Sequence, residues 1–349
     1  MMSNQAMFSP EANPRTIMQA AFGFATTQAM VSAIELDLFT HIDEGRRTVL
    51  ELAQAIGGAE RGVRILLNAL TAIGMLTKQE DRYALTETAR VYLSRKGPRY
   101  MGAVVLHMRE IERNWMELTG VVRTGRPPVD VEGEQDRGEF FARFVEGLYG
   151  LNVEAAETAA REMLKHVPRG GPVRVLDVGA GSGVWGFAFA RLDPNVQVTV
   201  ADWPSVVDGV TKRIAEREGI SARVNYLPGS LRETDFGEAR YDVVTVGHVC
   251  HSEGERHSRE LLAKVRRALK PGGQLLIVDW PADEQRAEAT FPLLFAVNML
   301  VHTEEGDTFT VAQYRQWLDE AGFEDVNVRE AASASMIIAR SRAVKEKAA

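Results

Sequence analysis

The stretch Val173-Arg-Val-Leu-Asp-Val-Gly-Ala-Gly-Ser-Gly-Val-Trp-Gly186 decides how this chain is read. Val173, Val175, Leu176 and Val178 favour a short apolar strand; Gly179, Gly181 and Gly183 follow at alternate positions, before the helical run Trp185 to Arg191. A strand that breaks into glycines and restarts as a helix lets backbone approach a ligand closely, because no Cβ stands in the way. The pattern predicts a pocket of nucleotide type. In a dinucleotide fold the glycines run G-x-G-x-x-G beneath a pyrophosphate. Here they run G-x-G-x-G, with Asp177 inside the strand end.

This form, D-V-G-A-G-S-G, resembles the first motif of class I S-adenosylmethionine methyltransferases. The resemblance implies that Gly179, Gly181 and Gly183 lie against the methionine part of S-adenosyl-L-methionine, a cofactor without phosphates.

Size and composition set outer bounds. The 349 residues suffice for two domains, and 45% hydrophobic with 26% charged residues is an ordinary globular balance. A formal net charge of -7 argues against nucleic acid as the main partner, since phosphate binding needs a basic excess. Cys250 is the single cysteine, so no intramolecular disulfide forms. The start of the chain lacks a basic patch and apolar core, and no uncharged apolar run is read as reaching the ~20 residues of a bilayer span. The expectation is a cytoplasmic protein with no membrane partner, and no metal site is read.

From the N-terminus, Ile17 to Ile42 has helical periodicity with apolar residues on more than one side, Met18, Phe22, Ala25 and Ala29 on one face and Val31, Ile34 and Leu38 on another. Such a helix pair is expected to be buried between two bodies, the second being a partner subunit. Thr48 and Glu51 then have capping-box spacing before a helix stopped by Gly57. A helix from Arg61 to Met75 and a hairpin from Leu76 to Thr86, turning at Gln79-Glu80-Asp81, complete a winged helix. One reading of that unit is a ligand-sensing regulator that binds DNA. The helix at Arg61 offers only Arg61 and Arg64 as cations, so dimerisation is the expected use and no nucleic acid is expected. A helix is expected over Tyr100 to Thr119, a surface loop over Thr124 to Arg137, and a helix over Phe140 to His166. The domains are drawn as 1–105 for the winged helix, 106–168 for a helical linker contributing to the substrate pocket, and 169–349 for the catalytic domain.

Past the glycine loop, strands and helices alternate. Strands are expected at Val196 to Ala201, Val224 to Leu227, Tyr241 to Val246 and Gln274 to Asp279, with helices at Val206 to Glu218, Arg256 to Leu269 and Val311 to Ala321. The last two strands, Val326 to Glu330 and Ser335 to Ala339, have so short a link that they must run antiparallel. The fold class is therefore an α/β Rossmann-like methyltransferase domain, a parallel sheet with a terminal antiparallel hairpin, plus an N-terminal, mostly α winged-helix dimerisation domain. Right-handed crossovers bring the carboxyl ends of the parallel strands to one rim. There Asp202 can accept ribose hydroxyls or cap the helix that begins at Pro204. Ser230 and Leu231 can bond and cover adenine, although ordinary turn chemistry accounts for the same residues.

The run V-G-H-V-C-H-S-E at the fourth strand's end, continuing to Lys270-Pro-Gly-Gly and an apolar strand, makes the chain similar to the small-molecule O-methyltransferase family with a winged-helix dimerisation domain, from roughly Ala20 to Arg340. The resemblance implies a homodimer that methylates a small aromatic or polyketide-like hydroxyl, with His251 as the base that takes the acceptor's proton and Asp279 orienting it. C-methylation on the same fold is the alternative. His248 is read as a packing or cofactor-side residue and Cys250 as a small hydrophobe. Asn298, Met299 and His302, on the helix-like stretch Phe291 to His302, are candidates to face the acceptor. The chain departs from the family pattern at Ser252-Glu253, where Asp-Trp usually follows the histidine, at Ser230 in place of an acid, and at Thr308 in place of a second carboxylate.

Overall fold

The computed structural model describes residues 13–128, 134–168, 170–331 and 334–342, with backbone alone over 134–143. The chain divides into two compact units, Met1–Glu110 and Ile111–Ala349.

The first unit carries α1 (Pro14–Ala21), α2 (Gly23–Glu35), α3 (Leu38–Asp43), α4 (Val49–Ile56), α5 (Glu60–Ala72), the strands β1 (Leu76–Gln79) and β2 (Arg82–Leu85), and α6 (Glu87–Tyr92). The region expected to be a helix pair is three helices. Asp37 takes a left-handed φ of 52° between α2 and α3, a break no hydrophobic pattern announces. The capping box at α4 is formed: Glu51 N–H donates to Thr48 Oγ1, and Thr48 N–H donates to Glu51 Oε2 at 2.9 Å. Gly57 ends the helix at φ 63°. β1 and β2 pair antiparallel, so the wing lies where the alternation put it. Ile34, Leu38, Phe39, Leu52, Leu67, Leu70 and Tyr83 form the core of this unit. α5 buries one stripe, Val63, Leu67 and Leu70, and leaves Ile65 exposed. Ile17, Met18, Phe22 and Phe24 on α1 and α2 are also exposed.

Pro14–Glu35 also amends the bilayer reading. Its 22 residues are long and apolar enough, by length and composition, to cross a membrane.

The division falls within α7 (Gly102–Met116), which is followed by α8 (Leu118–Thr124) and α9 (Glu134–Leu164). The single helix expected over Tyr100 to Thr119 is thus two, parted at Glu117. The expected loop over Thr124 to Arg137 is shorter than drawn, because α9 begins at Glu134; residues 129–133 lie outside the described residues. Then come β3 (Val173–Val178), α10 (Val184–Leu192), β4 (Val196–Asp202), α11 (Pro204–Val206), a π turn (Val207–Thr211), α12 (Lys212–Arg217), β5 (Val224–Pro228), β6 (Tyr241–Gly247), α13 (Cys250–Ala268), β7 (Leu269–Asp279), α14 (Thr290–His302), α15 (Val311–Glu320), β8 (Phe323–Glu330) and β9 (Ser335–Ser341).

The seven strands lie in the order β5-β4-β3-β6-β7-β9-β8. β5 through β7 are parallel, while β9 pairs antiparallel with both β7 and β8. β3 is buried along nearly its whole length, as a central parallel strand covered on both faces must be. One face packs Val175, Val198 and Leu276 with Phe187 and Phe189 of α10 and Met163 of α9; the other packs Leu176, Val244 and Ile277 with Leu262 of α13 and Trp317 of α15. The carboxyl ends of β3, β4, β6 and β7 therefore meet on one rim, and they deliver Gly179, Asp202, Gly247 and Asp279 to it.

Candidate active site

The glycine loop is held open by acids at two strand ends. All three glycines have left-handed φ, 63° at Gly179, 55° at Gly181 and 75° at Gly183, which side chains with a Cβ adopt at a cost. A Cβ on Gly179 would stand 2.4 Å from Val249 Cγ2 and 3.5 Å from Leu231 Cδ1, so the loop backbone lies against both residues. Gly183 gives α10 no side-chain cap. Asp177 supplies one from inside the strand: its Oδ2 accepts from Gly186 N–H at 2.9 Å and its Oδ1 from Thr245 Oγ1 at 2.6 Å. Asp202 Oδ2 accepts from Gly181 N–H at 2.7 Å and its Oδ1 from Trp203 N–H, while Thr211 in the π turn donates to Gly181 O at 2.7 Å. Burial pushes the Asp177 carboxyl up to about 7, against the bonds from Thr245 and Gly186. It pushes Asp202 up to about 6, against the N–H groups of Gly181 and Trp203. Asp202 thus braces the loop and keeps further lone pairs for hydroxyl donors. Ser230 is engaged in a turn: its Oγ accepts from Arg232 N–H at 3.3 Å and its carbonyl from Thr234.

On the other half of the rim, β6 and β7 bring a histidine to a carboxylate. His251 lies in the first turn of α13, which begins six residues before the start expected from the pattern; Gly254 (φ 76°, ψ 172°) interrupts the helix and hides its opening turn from periodicity. His251 Nδ1 and Asp279 Oδ1 are 2.6 Å apart and buried. Asp279 also accepts from Tyr314 Oη at 2.7 Å and from Trp280 N–H at 2.9 Å. Burial pushes the Asp279 carboxyl up, but the His251 imidazole, then His248 and the Tyr314 hydroxyl, outweigh it and hold the group at about 2. With Nδ1 turned to a carboxylate, Nε2 of His251 is the nitrogen left to accept a proton. The His251 backbone is fixed too: its carbonyl accepts from Asp307 N–H at 2.9 Å, and a Cβ on Gly306 would stand 2.6 Å from it.

Aromatic rings surround this pair. Trp280 stacks on His251 at 5.6 Å and 22°, Phe295 meets His251 edge-on at 4.9 Å, and Phe291 stacks on Phe295. Among the described residues, His248, His251 and Asp279 bring three ligand atoms within 4.8 Å of one another, a spacing a metal ion can use and one the sequence reading did not consider. Two of the three are already bonded to each other.

The O-methyltransferase domain family matches residues 115–324, and the O-methyltransferase dimerisation domain family matches residues 18–95. This chain belongs to the O-methyltransferase family. It is 32% identical, over 92% of both chains, to a 3-hydroxy-5-methyl-1-naphthoate 3-O-methyltransferase of Streptomyces sahachiroi. It is 30% identical to the tetracenomycin polyketide synthesis 8-O-methyl transferase TcmO of Streptomyces glaucescens, over 90% of this chain and 92% of the relative. Human N-acetylserotonin methyltransferase, solved in complex with S-adenosylmethionine, superposes with a TM-score of 0.79 at 25% identity, covering 96% of this chain and all of that one. The protein is an S-adenosylmethionine-dependent O-methyltransferase with a dimerisation domain, acting on a small molecule.

For this O-methyltransferase the remaining candidates lie on α14. Asn298, Met299 and His302 share, by helical spacing, the face that carries Phe295. Asn298 Oδ1 accepts from Trp115 Nε1 at 3.0 Å, His302 Nδ1 lies 2.8 Å from the Asn298 carbonyl, and Met299 packs against Gly306. Tyr314, Trp280, Phe291 and Phe295 escape sequence reasoning. Nothing in the spacing of Tyr314 from Asp279 says that a helix after the fifth strand returns a hydroxyl to that strand's end. The aromatic content of Phe291 to Phe295 beside Trp280 is the one signal available.

Proposed function

We propose that this enzyme methylates a hydroxyl on a small aromatic or polyketide-like metabolite, with His251 as general base and Asp279 as the residue that fixes its tautomer. The buried 2.6 Å bond between His251 Nδ1 and Asp279 Oδ1 carries the reading. It sets the imidazole to receive a proton at Nε2 while Nδ1–H stays on the carboxylate. Trp280, Phe291 and Phe295 offer faces and edges to a flat acceptor, and Asn298, Met299 and His302 extend that wall along α14. The naphthoate and polyketide chemistry in the relatives' names supports the same class.

Gly179, Gly181 and Gly183, whose left-handed backbone admits close approach, suit the methionine end of S-adenosylmethionine. Asp202 suits the ribose hydroxyls, with Leu231 and Ser230 on the adenine side. When bound, the cofactor supplies an electrophilic methyl group on a sulfonium. The protein's part is to align the acceptor oxygen in line with that methyl and to take its proton. Met18, Phe22 and Phe24, exposed along α1 and α2 inside the dimerisation match, with Ile17 just before it, support a homodimer through this unit.

The test is a mass-spectrometric screen of phenols, naphthols and polyketide-like hydroxyls with methyl-labelled S-adenosylmethionine, run beside calorimetry for the cofactor. Label on oxygen of an aromatic acceptor is expected, lost in His251→Ala with cofactor heat unchanged. Full turnover in that variant would remove His251 from the role of base.

A further inference from the structure

His248 bears two costs at once. Its backbone has φ 60°, a left-handed conformation that a residue with a Cβ pays to adopt, held there as its N–H donates to Val278 O at 2.8 Å. Both ring nitrogens, Nδ1 and Nε2, are buried and have no hydrogen-bond partner among the described residues. A buried imidazole without a partner is unfavourable, and one kept so in a native fold calls for an explanation, a catalytic role among them. The ring lies on Trp280 at 4.3 Å, and its centroid is 6.1 Å from both Trp185, beside the glycine loop, and His251. It therefore stands between the cofactor half of the rim and the base.

The distances say what fits there. A ring nitrogen of His248 lies within 4.8 Å of a ring nitrogen of His251, and the two are not bonded to each other. One oxygen about 2.8 Å from each could bridge a gap of that size. A metal ion fits less well. Asp279 already takes His251, Tyr314 and Trp280 N–H as donors and would have to release some of them. Burial holds the His248 imidazole down at about 4, so near neutral pH it is uncharged, with one N–H to give and one lone pair.

Resting on the reading of His251 as base, the geometry points to His248 as a second catalytic residue: its N–H donates to the same acceptor oxygen whose proton His251 removes, stabilising the phenolate as it forms. The hydroxyl proton goes to His251. The oxygen's freed pair forms the new O–C bond, the pair of the broken S–C bond stays on sulfur, and His248 keeps its proton throughout. Aiming a neutral N–H at the atom where negative charge develops is the device of an oxyanion hole.

The experiment uses para-nitrophenol, whose phenolate absorbs visible light, titrated in the complex of the full enzyme with S-adenosylhomocysteine, where no methyl can move. In the wild type the bound probe is expected to ionise at least about tenfold more readily than the free phenol, the scale of a hydrogen bond to a charged group. His248→Gly relieves the strained backbone and removes the donor. His248→Phe keeps a ring on Trp280 and also lacks the donor. Either variant, once its cofactor heat matches the wild type, is expected to lose most of that gain and to lower kcat more than it changes the KM for the cofactor. His251→Ala retains the part of the gain that depends on His248. A probe that ionises alike in wild type and His248→Gly, or that shows no change on binding to the wild type, overturns the inference. Failure of the base reading is separate: it is full turnover in His251→Ala, whatever the probe does.

Discussion

Asp202, partly buried, and Asp279, buried, end two parallel strands of the same sheet on the same rim, and they titrate in opposite directions. Asp202 is pushed up to about 6 because burial meets only backbone N–H groups as opposition. Asp279 is held at about 2 because an imidazole, a second histidine and a tyrosine hydroxyl outweigh the same burial. Burial alone therefore does not set the charge of an acid on this rim; the partners that the fold assembles do. The cofactor half holds acids close to neutrality and uses them to brace backbone. The Asp279 half holds a fixed anion bonded to the imidazole proposed as the base.

Removing the base breaks the comparison most severely. His251→Ala is expected to lower turnover by about 10²- to 10⁴-fold with cofactor affinity unchanged, measured by initial rates beside calorimetry. Next is the anion itself. Asp279→Ala leaves His251, Tyr314 and Trp280 N–H without their acceptor. It should cost about 2–4 kcal/mol of unfolding free energy in denaturant titration as well as turnover. Because the Asp279 carboxyl is lowered in the fold, its contribution is present above the usual carboxylate range and lost as pH falls toward about 2.

A smaller effect sharpens the other half. Asp202 accepts hydroxyls best when ionised, and its carboxyl is raised to about 6. Cofactor affinity is therefore expected to fall about tenfold between about pH 8 and about pH 5, and Asp202→Asn to flatten that dependence, both by calorimetry. The sign for stability is opposite to that of Asp279. Ionising a carboxyl with a raised value costs the fold free energy above about pH 6, and that cost is relieved as pH falls through about 6 toward 4. Smallest is Tyr314→Phe, which removes one of three donors to Asp279 and should cost about 1 kcal/mol of stability and a few-fold in turnover.

Much of this was legible beforehand, for reasons particular residues make clear. The valines of β3 and the three glycines after it act locally: propensity and the freedom of φ belong to each residue whatever surrounds it. The same holds for the Thr48 and Glu51 cap and for the wing. The opening turn of α13 was missed because Gly254 interrupts it, and the third N-terminal helix because Asp37 adopts a left-handed turn unprompted. The weight of His248 was missed altogether. As a letter it is one histidine near another, and only the register of β6 against β7 shows its nitrogens buried and unbonded.

The chain by itself determined the order of strands and helices, the glycine loop, the capped helices and the family, since all of these rest on contacts within a few positions or on a contiguous motif. The tertiary structure alone decided that Tyr314 reaches Asp279, that Trp280 and Phe295 close around His251, and that two acids on one rim carry opposite shifts. Those facts depend on residues far apart in sequence meeting in a medium of low polarity, where the interaction between groups sets their energies and no single residue type carries the answer.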